Sequence, residues 1–382
     1  MTEQKYSDIR GFCYTMWHRV SEEQLRKELG YAVSLRLNSA RIWLSEKEYE
    51  KNKEDFLGRL LRFVRVADEM GISTMPILFN GNGLDPETLE PSWWDREDIY
   101  VADVVNMLRG EHGLIMWDVM NEPSCNDYIN KSPEGEKQER WEKMTRFLKH
   151  HCAKVRQLAP ENVITIGHTF IPDVKDTLDD VDVISFHDYL STRAEIRATY
   201  EEAVRISGET GKPFINSELC CLCRANPYDL ALKMCNEYKA GWYLFELMIG
   251  GYWGDVHGIF YEDGTVRDPS IPAAVLGFYR NRSESAVLTN ANKEGYAQRG
   301  IQMVKDALEE NTEVFRASSK SIDEVLEAAE FCANLLEACE LVPMNDPPTA
   351  QIEGIRRKQD ERAARKLAFK LAELLRQECL LL

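Results

Sequence analysis

The sequence lacks the long apolar runs and the excess of basic residues that would point to a membrane or a nucleic acid. No stretch of about 18 uncharged apolar residues occurs, and the N-terminal MTEQKYSDIR has neither the apolar segment nor the small-residue cleavage pattern of a secretory signal. The net charge is -17, so phosphate backbones and anionic membrane surfaces would repel the chain. We therefore expect a cytoplasmic protein with a small neutral or cationic partner, and neither a nucleic-acid nor a membrane partner.

The cysteine pattern also lacks the features of a disulfide scaffold or a structural metal site. Ten cysteines are scattered through apolar segments of a 382-residue chain without a secretion signal, which favours reduced thiols. The cluster CCLC, at Cys220, Cys221 and Cys223, has no second Cys/His pair at zinc spacing. We predict buried or loop thiols there, and no metal.

Short apolar runs alternate with amphipathic helical stretches from Ile9 to about Arg282. Eight runs are predicted strands: IRGFCYT, SARIWLS, STMPILFN, LIMWDVMN, VITIGHTF, DVISFHDY, PFINSELC and GWYLFELM. This alternation is typical of βα units around a parallel sheet. No glycine-rich phosphate fingerprint follows the first run, which favours a closed (β/α)8 TIM barrel over an open doubly wound sheet. We predict a barrel domain over residues 1–282, with a helix after each strand.

Residues 283–382 have a different character. No glycine occurs between Gly300 and Gly354, and strand-like runs disappear. The stretches SIDEVLEAAEFCANLLEACELV and IRRKQDERAARKLAFKLAELLRQECLLL carry apolar stripes at helical spacing. We predict an α-helical C-terminal extension that packs on the barrel or on another subunit, as in a homo-oligomer.

Polar residues end several of the predicted strands, at the edge where barrel enzymes carry their active sites. They are Arg41, with Trp43 two residues on, then Asn80, Asn121, Glu122, His168, His187, Tyr189, Glu218 and Glu246. Glu122 and Glu218 both follow strongly apolar strands. Paired carboxylates across a pocket cleave glycosidic bonds, since one protonates the leaving oxygen while the other attacks the anomeric carbon.

The alternative for either glutamate alone is a helix N-cap, where a carboxylate is also favoured. The combination with Arg41 and the HDY run favours the catalytic interpretation. Glu122 lies in a loop rich in neutral groups, so we expect it to be held protonated as the acid. We expect Glu218 to be the ionised nucleophile, its pKa kept low by Arg41 with His187 or Tyr189.

The motif WDVMNEP, followed downstream by KPFINSEL, resembles the retaining glycoside hydrolases of clan A, closest to the cellulase-like family 5 group. The resemblance covers roughly residues 9 to 281. It implies that Glu122 is the acid/base and Glu218 the nucleophile. It also implies supporting roles for Arg41, Asn121, His187 and Tyr189, and it requires no metal or organic cofactor.

The sequence departs from the family pattern at two strand ends. Asn80 stands where the family usually has a histidine, and Phe245 stands near the position of its usual platform tryptophan. Sugar rings stack on indoles, and we predict this role for Trp43 and Trp253. Other tryptophans lie at strand ends or in loops, namely Trp17, Trp93, Trp94 and Trp242, whereas Trp117 and Trp141 are predicted core residues.

These observations predict a retaining β-glycosidase that cleaves oligosaccharides or small glycosides through a covalent glycosyl-enzyme. A transglycosylase would use the same glutamate pair, with a sugar hydroxyl in place of water. A third interpretation is a barrel that binds a carbohydrate without turnover.

Overall fold

The structure is a computed structural model that describes residues 5–221, 224, 226–277, 279, 321–338, 342 and 347–381. The chain divides into two compact units, Met1–Leu276 and Gly277–Leu382. The predicted boundary at 282/283 and Cys223 of the CCLC cluster lie outside the described residues. No helix in the described ranges is long and apolar enough to cross a bilayer.

Eight parallel strands form the centre of the first unit. They are β1 (Arg10–Cys13), β2 (Ser39–Trp43), β3 (Ser73–Asn80), β4 (Trp117–Asn121), β5 (Ile164–Gly167), β6 (Ile184–Asp188), β7 (Phe214–Leu219) and β8 (Gly241–Leu244). They pair in the order β5-β4-β3-β2-β1-β8-β7-β6. A parallel bridge between His168 and Phe186 joins the two end strands. The predicted TIM barrel and its eight strands are therefore confirmed.

Ten α-helices of the first unit follow or connect these strands. They are α1 (Glu22–Ser34), α2 (Glu46–Lys51), α3 (Lys53–Glu69), α4 (Trp94–Leu108), α5 (Asp127–Asn130), α6 (Lys137–Leu158), α7 (Arg193–Thr210), α8 (Tyr228–Tyr238), α9 (Gly251–His257) and α10 (Ser270–Val275). The prediction of a helix after every strand is wrong at one position. A single short 3-10 helix, Ile171–Asp176, connects β5 to β6, with Pro172 in its first turn.

The local sequence explains where the longer helices begin and end. At α7, Thr192 and Glu195 form a reciprocal capping box, which satisfies free N–H groups of the first turn. The same helix ends at Gly211, whose left-handed φ of +73° is costly for a residue with a Cβ. Gly71, which follows the C-terminal end of α3, also has a left-handed φ, of +75°.

The second unit contains α11 (Ile322–Ala338), α12 (Pro348–Lys358) and α13 (Glu361–Leu381). The second predicted helical stretch is thus two helices, separated at Gln359, whose φ is +52°. A buried apolar cluster joins the three helices and includes Val325, Leu326, Ala329, Cys332, Leu336, Ile352, Ala364 and Leu371. Val325 and Cys332, which lie in the first of the two predicted helical stretches, belong to this cluster. The expected packing on the barrel or on another subunit stays a prediction.

An apolar cluster fills the barrel interior below the strand ends. Its buried members are Ile9, Cys13, Met75, Met116, Val183, Ile215, Tyr243 and Phe245. Gly11 of β1 allows the Tyr243 ring to lie against the backbone, since a Cβ at residue 11 would lie 2.1 Å from Cδ1 of that ring. The Tyr243 ring of the neighbouring strand, β8, therefore requires glycine at residue 11.

We predict that Gly11→Ala lowers the free energy of unfolding by about 1–3 kcal/mol, because the buried Tyr243 ring has to move. Gly58→Ala is the control, since no atom lies within 4 Å of a Cβ at this position in α3. It should raise stability by about 0.5–1 kcal/mol, because alanine favours the helix. Urea denaturation measures both changes. Equal effects of the two substitutions would contradict this account of Gly11.

Candidate active site

Irregularities in three strands direct side chains toward the mouth of the barrel. The strand register shifts between Asp118 and Asn121 in β4, between Phe186 and His187 in β6, and between Asn216 and Leu219 in β7. Regular alternation would place Asp118 and Asn121 on opposite faces of β4. The shift instead allows both side chains to contact the same group in the barrel interior.

That group is the guanidinium of Arg41, which is completely buried. Its Nη1 donates to Glu218 Oε2 at 2.9 Å, and its Nη2 donates to Asp118 Oδ2 at 2.7 Å and to Asn121 Oδ1 at 2.8 Å. Nε also donates to Asp118, at 3.0 Å. The guanidinium lies 4.8 Å from the Trp43 ring centroid. Arg41 therefore holds residues from β4 and β7 in fixed positions.

Glu122 and Glu218 lie close together at the bottom of a cavity of about 460 Å³. An oxygen of each carboxylate and a ring nitrogen of His187 all lie within 4.8 Å of one another. Glu122 and Glu218 are only 9% and 6% exposed. Two carboxylates and an imidazole thus lie together where each is largely shielded from solvent, so their charges interact strongly.

The backbone of Glu122 has an unusual conformation. Its φ is +48°, in the left-handed region that disfavours a residue with a Cβ. Its N–H donates to Gly167 O at 2.7 Å, which ties the end of β4 to the end of β5. Backbone conformations of this kind are concentrated at functional sites. Here the conformation carries the chain out of β4 with the Glu122 side chain in the cavity.

Hydrogen bonds lower the pKa of Glu122. Its Oε1 lies 2.9 Å from His187 Nδ1, and its Oε2 accepts from Asn82 Nδ2 at 2.8 Å. Burial raises the pKa, but His187 and Asn82, with the charge of Arg41, outweigh it and bring the pKa to about 2. The carboxyl that was expected to be protonated therefore favours the ionised form.

The pKa of Glu218 is shifted in the opposite direction. Burial raises it, and the charge of Glu122 adds to that rise, while His187, Arg41 and Tyr189 oppose it. Tyr189 Oη donates to Glu218 Oε1 at 2.8 Å. The predicted contacts with Arg41 and Tyr189 are present, but the predicted pKa order of the two glutamates is wrong. The sequence could not show that His187 contacts Glu122 more closely than Glu218, at 2.9 Å against 3.8 Å.

A chain of amides borders the acid side of the cavity. Asn121 Nδ2 donates to Asn80 Oδ1 at 3.0 Å, and the same oxygen accepts from the backbone N–H of Asn82 at 3.3 Å. Asn80 and Asn121 were predicted site residues, and both line the cavity. Asn82 was missed. Its position two residues after a strand-end asparagine, in FNGNG, is the signal that could have indicated it.

The rim of the cavity is aromatic. Trp43 packs edge-on against Phe245, with ring centroids 5.5 Å apart, and Phe245 packs edge-on against Trp253 at 6.4 Å. Trp253 is 46% exposed, so its indole can receive a ligand. The two tryptophans predicted for the site both line the cavity, and Phe245 lies between them.

Other aromatic and polar candidates lie elsewhere. Trp17 is buried against Phe56 and Phe63, and neither Trp93 nor Trp94 lines the cavity. His168 is also outside it, with Nε2 2.8 Å from Thr177 Oγ1. Residues that line the cavity without having been predicted site residues are Thr15, Asn82, Cys125, Thr169, Phe170, Leu190, Arg224, Phe245 and His257.

Asp118 is the most important residue missed by the sequence interpretation. It is a charged residue in the middle of an apolar strand, and it is completely buried. Besides binding Arg41, its Oδ1 accepts from Gly167 N at 2.9 Å. A single carboxylate in the middle of a buried barrel strand needs a buried cation as its partner, and the sequence places Arg41 in β2. The pair of Asp118 with Arg41 could therefore have been predicted from the sequence.

A metal ion is a further ligand to consider, because Glu122, His187 and Glu218 offer two oxygens and a nitrogen. Arg41 already supplies a cation to Glu218, and Asn82 supplies a hydrogen bond to Glu122. The carboxylates are thus satisfied by groups of the chain itself. The expectation of a metal-free site stays a prediction.

We predict that Asp118→Asn destabilises the protein by about 3–5 kcal/mol, because it removes one partner of a buried ion pair. The control is Asp55→Asn, which breaks the pair of Asp55 with Arg59 on the surface, where Asp55 is 52% exposed. That change should cost less than about 1 kcal/mol. Chemical denaturation at pH 7 measures both. A small effect of Asp118→Asn would show that Arg41 does not need this carboxylate.

Glu246 is a buried carboxyl group, 1% exposed, whose titration makes the stability of the fold depend on pH. Its Oε2 accepts from Thr15 N at 3.2 Å, and its Oε1 has no hydrogen-bond partner in the part of the chain that the structure describes. Burial raises the pKa of Glu246 to about 7. The folded state then binds more protons than the unfolded state between the ordinary carboxyl pKa and this value, so stability falls as pH rises through that window.

Glu246→Gln should reduce this pH dependence and raise the free energy of unfolding at pH 8 by about 1–3 kcal/mol, since one pKa unit is worth about 1.4 kcal/mol. At pH 4 the two proteins should be similar in stability. Denaturation curves from pH 4 to pH 8 measure the difference. An unchanged slope would assign the pH dependence to other groups.

No model of a known protein family matches the chain, and no curated protein sequence matches it. Solved structures do. An endo-1,4-β-mannanase from Rhizomucor miehei matches with a TM-score of 0.56 and 15% identity, over 70% of this chain and 92% of that chain. An exo-β-1,4-mannosidase from an Opitutaceae bacterium matches with a TM-score of 0.54 and 16% identity, over 77% and 67%. A GH5_18 protein from Streptomyces cattleya, in complex with Manβ1-4GlcNAc, matches with a TM-score of 0.56 and 12% identity, over 72% and 81%. At these identities the likeness is one of fold, and the chain has the (β/α)8 barrel fold of these proteins.

Proposed function

We propose that the protein is a retaining β-glycoside hydrolase, a member of the cellulase-like family 5 group of clan A. The observation that carries the proposal is the spacing of Glu122 and Glu218, whose closest described oxygens lie within 4.8 Å. Retaining enzymes place their carboxyl groups about 5–5.5 Å apart, whereas inverting enzymes need about 6.5–9.5 Å to admit a water molecule. The short spacing favours attack by the enzyme itself.

Glu218 is the proposed nucleophile. Arg41 binds one oxygen of its carboxylate and Tyr189 binds the other, so the group is held in one orientation. A carboxylate fixed in this way is well prepared to attack the anomeric carbon. The proton of Tyr189 and the charge of Arg41 favour the ionised form, against the burial that raises the pKa of Glu218.

Glu122 and His187 together are the proposed acid. The separation of 2.9 Å between Glu122 Oε1 and His187 Nδ1 allows the pair to hold one proton between them. During glycosylation the proton leaves through Glu122 to the departing oxygen, and His187 is left neutral. In the second step Glu122 removes a proton from the incoming water, and the pair regains its starting state. This pairing reconciles the low pKa of Glu122 with its role as acid, because the proton belongs to the pair.

Asn121 is the proposed contact for the 2-hydroxyl of the sugar. Its side-chain oxygen is used by Arg41, and one N–H of its amide is used by Asn80. The second N–H of the same amide is available for a substrate oxygen. A hydrogen bond to the 2-hydroxyl that strengthens in the transition state contributes to catalysis. Trp43, Phe245 and Trp253 provide apolar surfaces for the faces of the sugar rings.

The proposed substrate is a β-linked oligosaccharide or a small β-glycoside, cleaved in the cytoplasm. The proteins of similar fold include an endo-1,4-β-mannanase, an exo-β-1,4-mannosidase and a xyloglucan-specific endo-β-1,4-glucanase. Aryl β-mannosides and aryl β-glucosides are therefore the first compounds to assay, followed by galactosides and xylosides. Addition of an acceptor sugar tests whether the intermediate is resolved by water or by a sugar hydroxyl.

We predict that a 2-deoxy-2-fluoro β-glycoside with a good leaving group labels the protein at Glu218, since the fluorine slows breakdown of the covalent intermediate. Mass spectrometry of the digested protein locates the label. Glu218→Ala should remove both label and turnover. Labelling at another residue, or normal turnover by Glu218→Ala, would contradict the proposed mechanism. A folded protein that is inactive on every aryl glycoside but binds sugar would favour the non-catalytic alternative.

Glu122→Gln should lower kcat by about 10²–10⁴ for substrates with poor leaving groups, the usual contribution of a general acid. The formation of the intermediate from a dinitrophenyl glycoside should be much less affected, because that leaving group needs no proton. Glu111→Gln, a change on the surface before β4, is the control and should leave both rates unchanged. Equal losses with both leaving groups would indicate that Glu122 is not the acid.

A further inference from the structure

A second group of imidazoles and a carboxylate lies on helices α4 and α6, outside the residues that line the candidate active site. It consists of Asp98 in α4 and the adjacent His150 and His151 in α6. One ligand atom of each residue lies within 4.8 Å of the other two. Asp98 Oδ1 is 2.9 Å from His150 Nε2 and 3.8 Å from His151 Nε2.

The ring of His151 has a fixed tautomer. His151 is completely buried, and its Nδ1 lies 2.9 Å from the carbonyl oxygen of Phe147, which can only accept. Nδ1 must therefore carry the hydrogen, and a neutral ring then has a bare lone pair on Nε2. This Nε2 has no hydrogen-bond partner among the described residues. It is the unpartnered buried atom of the group.

His151 Nε2 lies 3.8 Å from Oδ1 of Asp98. Two acceptors without a proton between them repel each other, and the repulsion is strong where one of them is buried. A cation between the two atoms would relieve the repulsion at neutral pH.

We propose that Asp98, His150 and His151 form a binding site for a divalent transition-metal ion of the Zn²⁺ class. Two imidazole nitrogens and one carboxylate oxygen are a ligand set that suits such ions. The hydrogen bond from Nδ1–H of His151 to a backbone carbonyl is the arrangement that orients metal-binding histidines. The side chain of His150 is 32% exposed, so the ion has access from solvent and water can complete its coordination.

Lys154 provides a test of this proposal, because its Nζ lies 3.2 Å from the other oxygen of Asp98. An ammonium group so close to the carboxylate repels a divalent cation. If the group binds a metal, removal of Lys154 should tighten the binding. If the group is only a network of ion pairs, removal of Lys154 has no effect on metal binding.

The experiment is calorimetric titration of the chelator-treated full chain with ZnCl2, together with Co²⁺ absorption spectroscopy to report the ligand geometry. We expect one saturable site in which His150→Gln weakens binding at least about tenfold and Lys154→Gln strengthens it. His112→Gln is the matched control, because His112 also pairs with a single aspartate, Asp68, at 2.9 Å. It should leave binding unchanged.

Glu122→Gln separates this site from the candidate active site, whose Glu122, His187 and Glu218 also offer ligand atoms. Binding that survives Glu122→Gln and is lost in His150→Gln supports the proposal. Absence of saturable binding overturns it. Binding that depends on Glu122 but not on His150 also overturns it, as does binding that His150→Gln and His112→Gln weaken equally.

Discussion

The candidate site depends on the burial of one positive charge, the guanidinium of Arg41. A cation removed from water is costly by several kcal/mol unless its hydrogen-bonding groups are all used. Asp118 and Asn121 from β4 and Glu218 from β7 supply the acceptors. The same contacts that make this burial tolerable also fix the proposed nucleophile. The stability of the fold and the orientation of the proposed nucleophile therefore both depend on Arg41. A substitution that alters its contacts affects both.

The charged groups around Arg41 largely offset one another. Arg41 and Asp118 are opposite in charge and cancel, and the pair of Glu122 and His187 is neutral overall when it holds one proton. Glu218 then carries the remaining negative charge of these five groups. This charge lies where the proposed reaction develops positive charge on the sugar ring, so it stabilises the transition state more than the ground state.

Much of the fold and the central glutamate pair could be predicted from the sequence. The strands are short apolar runs bounded by turn residues, and in a barrel their ends must meet, so Glu122 and Glu218 could be placed in one pocket. The helix expected after β5 could not be excluded, because a proline-bearing connection gives a similar pattern to a short helix. The role of Asp118 was hidden because the register shift in β4 changes which face its neighbours occupy.

The pKa order of the two glutamates was not accessible for a different reason. A sequence shows which groups belong to the strand ends, but the pKa of a buried carboxyl depends on differences of about an ångström in the positions of its neighbours. His187 Nδ1 is 2.9 Å from Glu122 and 3.8 Å from Glu218, and the shorter contact is a hydrogen bond that lowers the pKa of Glu122. Composition around Glu122 indicated a neutral loop, whereas the partner that controls it comes from β6.

These contacts give a physical explanation for the asparagine, in place of the expected histidine, at the end of β3. The resemblance leads one to expect a histidine where Asn80 stands, and the chain places amides at both Asn80 and Asn82. An amide can donate a hydrogen bond to Glu122, as Asn82 does, but it cannot take up its proton. On this side the chain can therefore lower the pKa of Glu122 without competing for the proton. His187 on β6 then controls the protonation of Glu122, and the side chains at the end of β3 orient Asn121 and Glu122.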